Sequence, residues 1–327
     1  MSNRPYVLAY NRISSPVIND LEKDFNLSYF TELEGLDNPD FKEALEKAEG
    51  IINVEMEVNE QLLSHAPNLK VVCNVSVGYD NLDIEALTKR NIMATNTPGV
   101  LTDTTADAIF SILLGTARRI PELDQYVKNG EWTKVLPEEK FGTDVHHKTL
   151  GIIGMGRIGQ AIAKRARFGF DMNILYYNRS QKPEAEDQYD AEFVSFDELL
   201  GRSDFVCLMT PLTNETRHLM NRDGFQKMKN EGIFINGSRG ETVDEKALIE
   251  ALQAGEIKAA GLDVFQQEPV EKDNPLLHME NVVTTPHLGS STHENELNMS
   301  RLAEKDLRAA LQGKQPKHLI NEETAPS

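Results

Sequence analysis

Short apolar runs alternate with amphipathic helical stretches along almost the whole chain. In the first hundred residues the runs are YVLAY, NLSYF, GIINV, LKVVCNV and NIMATN, with helical stretches such as NPDFKEALEKAE and NLDIEALTKR between them. These runs are apolar on both faces rather than alternating, as strands of a parallel sheet are when helices cover both sides. The pattern predicts α/β layers. A longer helix is predicted in LTDTTADAIFSILLGTARRI, where Ala106, Ile109, Ile112 and Leu113 recur at helical spacing behind Thr and Asp N-cap candidates. From Pro121 to Lys148 the chain is polar and irregular, contains Trp132 and Pro137, and reads as an arm. From Thr149 the rhythm resumes in TLGIIG, NILYY, FVCLMT, GIFING, IKAAGLDV and NVVTTPH. A last helix, from about Glu294, sets Met299, Leu302, Ala303, Leu307, Ala310 and Leu311 along one face.

A length of 327 residues suggests two domains. With 34 basic and 52 acidic residues the net charge is −18, which disfavours nucleic acid and anionic lipid as partners. The N-terminus has no apolar segment of signal-peptide type, no run approaches membrane-spanning length, and the C-terminal ETAPS matches no anchor or address signal. Cys73 and Cys207 stand inside apolar runs without Cys or His neighbours at ligand spacing. They read as buried free thiols, so a reducing, cytoplasmic setting is expected.

The first motif with chemistry is TLGIIGMGRIGQAIAKRARFG. Gly154, Gly156 and Gly159 form G-x-G-x-x-G between a predicted strand and a predicted helix, with Met155, Arg157 and Ile158 between them. The first glycine suits a tight turn, the second lets backbone approach a pyrophosphate, and the third lets the helix pack closely on the strand. An anion there meets free N–H groups at the positive end of a helix dipole. The next strand ends about 20 residues on, as a dinucleotide unit requires. At its tip, where an acidic residue would accept from the ribose hydroxyls of NAD, this chain has Asn178, Arg179 and Ser180, with Lys182 nearby. The guanidinium fork and the hydroxyl suit phosphate oxygens, and no carboxylate repels a 2′-phosphate. NADP(H) is the expected cofactor, with NAD(H) possible.

Three titratable or charged residues follow successive predicted strands: Arg239 after GIFINGS, Glu268 after AAGLDVFQQ and His287 after NVVTTP. Taken singly, each reads better as a surface Arg, a loop Glu or a packed His. Together they fit reduction of a 2-oxo acid. A permanent cation orients the carboxylate and polarises the carbonyl, a protonated imidazole supplies a proton near neutral pH, and a neighbouring carboxylate raises the imidazole pKa. His146 and His147 are adjacent, His293 has no carboxylate or Cys arranged around it as a metal site would require, and no metal is expected.

These pieces, with VSVGYDNLD, TPGVLTDTTADAIFSILLGTARR, MTPLTNETRHLMN, FINGSRGETVDEKALIEAL, AGLDVFQQEP and NVVTTPHLGSST, resemble the D-isomer-specific 2-hydroxyacid dehydrogenase family over essentially the whole length. Within it the chain is most similar to glyoxylate/hydroxypyruvate and 2-ketogluconate reductases. The resemblance implies two Rossmann-like or flavodoxin-like α/β domains with parallel sheets. A dinucleotide domain (100–286) would be inserted into a substrate domain (1–99 and 287–327), with the active site in the cleft between them. It implies catalytic roles for Arg239, Glu268 and His287, Asp263 near the nicotinamide carboxamide, and Thr105 near the cofactor phosphates. Thr210 and Pro211 would border the adenosine, and the backbone at Val77 and Gly78 would hold the substrate carboxylate alongside Arg239 and His287. It also implies a homodimer formed through the nucleotide domain, with the Trp132 arm as the dimerisation segment. Two other readings stay open. One is an NAD-dependent D-3-phosphoglycerate or D-lactate type dehydrogenase, although Lys70 is the only Lys or Arg between residues 50 and 80. The other is a non-catalytic NAD(P)-sensing, corepressor-like binding protein.

Overall fold

The computed structural model describes residues 4–32 and 35–326. The chain falls into two compact units, Met1–Leu101 with Ser290–Ser327, and Thr102–Gly289. The sequence reading divides the chain a few residues earlier at each point. The second division falls after Gly289 because Leu288 and Gly289 are hydrogen-bonded to Asp263, within the middle segment.

The unit built from the two chain ends has a five-stranded parallel sheet of β1 (Tyr6–Tyr10), β2 (Asn26–Phe30), β3 (Gly50–Asn53), β4 (Val71–Asn74) and β5 (Met93–Thr95). Its order is β2-β1-β3-β4-β5. Strands β3 and β4 are wholly buried, as the two-sided apolar reading requires. β2 is an edge strand and only half-covered. The helix His293–Leu311 returns to pack on β3 and β4, burying Met299, Ala303, Leu307 and Ala310. Arg301–Asp20 at 2.6 Å and Arg308–Asp24 at 2.7 Å tie it to the helix Ser15–Asp24.

The contiguous unit has a seven-stranded parallel sheet: β6 (Thr149–Ile153), β7 (Asn173–Tyr177), β8 (Ala191–Phe193), β9 (Phe205–Leu208), β10 (Ile233–Asn236), β11 (Ala259–Leu262) and β12 (Val282–Thr284). The order is β12-β11-β10-β9-β6-β7-β8. The chain runs outward from β6 to β8, then restarts on the other side of β6 with β9. That reversal is a switch point, and the carboxyl ends of the strands beside it are where open α/β sheets receive ligands. Helices Thr102–Ala117 and Arg157–Phe170 cover one face, while Leu199, Phe225 and Leu248 belong to the apolar layer on the other.

The arm is not irregular throughout. Residues Ile120–Lys128 form a helix with Pro121 in its first turn and Arg119, in the left-handed region at φ 54°, at its N-cap. Proline costs a helix little in the first turn, where its missing N–H would have no partner, so the polar, proline-marked stretch conceals a helix. None of its residues is buried. The three-residue strand β8 was likewise not anticipated. Among the described residues no helix is long and apolar enough to cross a membrane.

Leu307 is fully buried under the terminal-unit sheet. Leu307→Ala should lower that unit's stability by about 2–5 kcal/mol. Urea unfolding should show an earlier transition for the terminal unit and an unchanged one for the middle unit.

Candidate active site

Strands β10, β11 and β12 are neighbours in the sheet, so the loops carrying Arg239, Glu268 and His287 leave one edge side by side. Arg239 sits in a turn fixed from several directions. Its carbonyl accepts from Asn236 Nδ2 at 3.1 Å and from Thr242 Oγ1 at 2.5 Å, and Asn236 Oδ1 accepts from the Ser238 amide and hydroxyl. Gly240 lets this turn lie against the next loop, because a Cβ there would stand 1.7 Å from the carbonyl oxygen of Phe265. Glu268 Oε1 accepts from the Phe265 amide at 2.9 Å, and its Oε2 meets His287 Nδ1 at 2.7 Å. Glu245 braces the same loop, accepting from the Gln266 amide and Asn274 Nδ2.

His287 stands in the left-handed region at φ 50°, a conformation that costs a non-glycine residue energy unless its surroundings hold it there. Asp263, 2% exposed, does this. Its Oδ1 accepts from Thr285 Oγ1 at 2.6 Å and the Leu288 amide at 2.8 Å, and its Oδ2 from the Gly289 amide at 2.9 Å. Its carbonyl accepts from the His287 amide at 2.9 Å. Asn236, Thr242 and Thr285 were not anticipated. Small polar residues beside a strand end are the usual signal for such bracing, but they carry no motif.

The pair is electrostatically matched. The hydrogen bond to Glu268 holds the His287 imidazole above its ordinary pKa, against partial burial and the repulsion of Arg239. Partial burial pushes the Glu268 carboxyl up, but the bonds from His287 and the Phe265 amide, with the charge of Arg239, bring it below its ordinary value. Arg239 is thus near enough to act on both. The signs make the pair most stabilising between the carboxylate range and a pH above 6.5. The His287 part is lost as pH rises through the raised value, and the Glu268 part as pH falls through the lowered one.

At the switch point, Gly154 has φ 104°, and a Cβ on it would stand 2.7 Å from the Met209 carbonyl oxygen. A Cβ on Gly159 would stand 2.3 Å from the Gly154 carbonyl oxygen, whereas nothing lies within 4 Å of the Cβ position on Gly156. The helix Arg157–Phe170 begins there without a side-chain cap, leaving its first N–H groups for an anion. This cradle suits a dinucleotide pyrophosphate. Met155 is buried, while Arg157 is exposed and Ile158 half-buried at the start of the helix. Thr210 places its amide nitrogen against Gly154 and keeps a buried hydroxyl without a protein partner, and Pro211 beside it is exposed. The Gly154 amide donates to the Tyr177 carbonyl at 2.9 Å, joining the turn to the end of β7.

Beyond Tyr177, Asn178 is half-buried and donates to the Ser180 carbonyl, while Arg179 and Ser180 are exposed. The loop is fastened by Tyr176, which sequence reading passed over as a strand residue. Its hydroxyl accepts from the Lys182 amide and donates to Glu186, both at 2.7 Å. Thr105 is buried beside Gly289. Val77 and Gly78 lie in the other unit, in the loop after β4. Among the described residues no group of three or more His, Cys, Asp or Glu could hold a metal ion.

Residues 110–289 match the model of the D-isomer specific 2-hydroxyacid dehydrogenase NAD binding domain. The chain belongs to the D-isomer specific 2-hydroxyacid dehydrogenase family. Among relatives in that family is glyoxylate/hydroxypyruvate reductase B of Escherichia fergusonii, 48% identical over 98% of this chain and 99% of its own. The protein of the same name in Klebsiella pneumoniae is 48% identical over 97% and 98%. The TT0316 protein of Thermus thermophilus superposes with a TM-score of 0.89 at 38% identity, over 96% of this chain and 99% of its own. An NADPH-dependent glyoxylate/hydroxypyruvate reductase of Sinorhizobium meliloti, solved with NADP and malonate, gives 0.87 at 30% identity, covering 99% of both chains. Like other members of this family, the chain is an oxidoreductase built around an NAD(P)-binding domain.

Replacing Glu268 by Gln removes the charge that raises the His287 pKa. The descending limb of kcat/KM for 2-oxo acid reduction should move to lower pH. At pH 8 the loss should reach about tenfold for each pKa unit of displacement. Asp263→Asn, which puts an amide NH2 among three donors, should lower kcat by about tenfold or more, seen in steady-state rates with cofactor binding followed separately by fluorescence.

Proposed function

We propose that this protein is an NADPH-preferring reductase of small 2-oxo acids, with glyoxylate and hydroxypyruvate as substrates and D-2-hydroxy acids as products. The observation that carries the reading is the 2.7 Å His287–Glu268 pair beside Arg239, at the ends of adjacent strands of a sheet whose switch point bears a dinucleotide cradle. The names of the relatives at 48% identity agree with it. In this reading Thr102–Gly289 is the dinucleotide domain and the terminal unit supplies the substrate-carboxylate loop at Val77 and Gly78.

The nicotinamide, when bound, supplies a hydride to the carbonyl carbon. Arg239 binds the substrate carboxylate and polarises the carbonyl through its permanent charge. As negative charge gathers on the carbonyl oxygen, the protonated His287 ring donates its proton there through Nε2, leaving a neutral imidazole. Glu268 holds Nδ1, which fixes the ring and keeps it protonated near neutral pH. The overall change is 2-oxo acid plus NADPH and one proton to D-2-hydroxy acid plus NADP+. Asp263, behind the His287 loop, has one oxygen accepting a single bond and is placed in this proposal near the carboxamide. Thr105 is assigned to the phosphates, and Thr210 and Pro211 to the adenosine side.

The NADPH preference rests on Asn178, Arg179 and Ser180. Arg179 and Ser180 are exposed at the tip of β7, on a loop held in one shape by Tyr176. In the same proposal the chain is a homodimer through the arm, where Trp132 is 62% and Val135 89% exposed and Ile120, Val127 and Phe141 are also uncovered. The setting is cytoplasmic, in keeping with the free Cys73 and Cys207, whose thiols burial pushes up to about 12.

A matrix of NADPH and NADH against glyoxylate, hydroxypyruvate, 2-ketogluconate and pyruvate tests the activity. Turnover with the first two acids and NADPH is expected, and none with any acid would refute it. Arg179→Ala should weaken NADPH by roughly 10- to 100-fold and leave NADH nearly unchanged; equal losses would refute the cofactor assignment. Light scattering should give twice the chain mass of 36.7 kDa, and Val135→Asp should shift it toward one chain.

A further inference from the structure

The loop after β4 is tied back at three successive peptide groups. The Ser76 carbonyl accepts from the amide of Thr97 at 2.9 Å. The Val77 carbonyl accepts from Asn96 Nδ2, and the Gly78 carbonyl from Asn74 Nδ2, both at 2.8 Å. Asn74 is 1% exposed and pairs with the Asn81 amide at 3.2 Å, and Asn81 Nδ2 donates to the Met56 carbonyl at 2.8 Å. Asn96 is anchored through its backbone to the end of the chain. Its amide donates to the His318 carbonyl at 3.4 Å, and His318 Nδ1 meets the buried Asp306 Oδ2 at 2.7 Å.

In a trans peptide the carbonyl and the following N–H point in opposite directions, and the one cis bond among the described residues is Glu268–Pro269. Fixing the Ser76 and Val77 carbonyls therefore fixes the N–H directions of Val77 and Gly78. Neither of these N–H groups has an acceptor among the described residues. Both residues are half-buried. Two unmet donors held at set angles bind an anion more tightly than a loop that must first be ordered.

We infer that Asn96 and Asn74 are positioning residues for substrate binding. By holding the Val77 carbonyl, Asn96 keeps the Gly78 N–H presented to the carboxylate of a 2-oxo acid, beside the Val77 N–H that the Thr97–Ser76 bond sets; Asn74, by holding the Gly78 carbonyl, pins the peptide on the other side of Gly78. This rests on the reading above in which that loop receives the substrate carboxylate.

The test uses the full-length protein and compares the wild type with Asn96→Leu, Asn74→Leu and Val77→Pro. The measurements are KM for glyoxylate, the inhibition constant of oxalate as an unreactive carboxylate, kcat, KM for NADPH and the thermal midpoint. Asn96→Leu should raise the glyoxylate KM and the oxalate constant together by about tenfold, with kcat and the NADPH KM within about twofold and an unchanged midpoint. Asn74→Leu should do the same if it folds. If it does not, Asn96→Leu decides alone, because Asn96 bonds Val77 independently of the Asn74–Asn81 pair. Unchanged glyoxylate and oxalate constants in Asn96→Leu overturn the inference, as does a loss that falls equally on every parameter together with the midpoint. Val77→Pro removes one of the two N–H groups. If it leaves both carboxylate constants intact while the wild type turns over, the reading of the loop itself fails. If it raises them while Asn96→Leu does not, only the positioning role fails.

Discussion

Buried at the end of β11, the Asp263 carboxylate accepts from Thr285, Leu288 and Gly289, and its carbonyl accepts from His287. This one side chain holds a five-residue turn in which His287 has a backbone conformation it would not keep by itself. The ring is thereby delivered to Glu268, whose own loop is held by Phe265 and Glu245. The imidazole is therefore only as well placed as the hydrogen-bond network behind it. Such networks are strong when every member is satisfied and costly when one is lost.

The sheet does the rest of the gathering. Residues 239, 268 and 287 are separated by tens of positions in sequence, yet β10, β11 and β12 are neighbours and parallel, so their following loops open on the same side. The reversal between β6 and β9 places the glycine turn at the same end of the sheet. One topological rule thus brings the His287–Glu268 pair and the glycine turn to one edge.

Much of this was legible beforehand, and the reasons differ by element. Central strands such as FVCL and IFIN announce themselves because both faces are buried. The G-x-G-x-x-G turn is legible because its glycines are required by backbone approaches that any Cβ would block. Arg239, Glu268 and His287 were singled out because their chemistry makes sense jointly, and the strands before them are neighbours in the sheet. The helix Ile120–Lys128 escaped because it buries none of its residues and so leaves no core-facing signal of the usual kind. Tyr176, Asn236 and Thr285 escaped for a different reason. Their roles consist of two or three hydrogen bonds each to neighbouring loops, and hydrogen bonds of this kind leave no periodicity in the sequence. The same holds for Asn74 and Asn96, whose partners Val77 and Gly78 were named while the groups behind them were not.

The helix His293–Leu311 covers β3 and β4, strands made roughly 220 to 240 residues earlier. During synthesis the face of those strands that carries Ile52, Val71 and Cys73 must wait for nearly the entire chain to emerge. The intervening segment holds all seven strands of its own sheet and can close without that delay. A chain cut short before residue 293 would therefore carry all seven strands of the middle unit beside a five-stranded sheet with one apolar face uncovered.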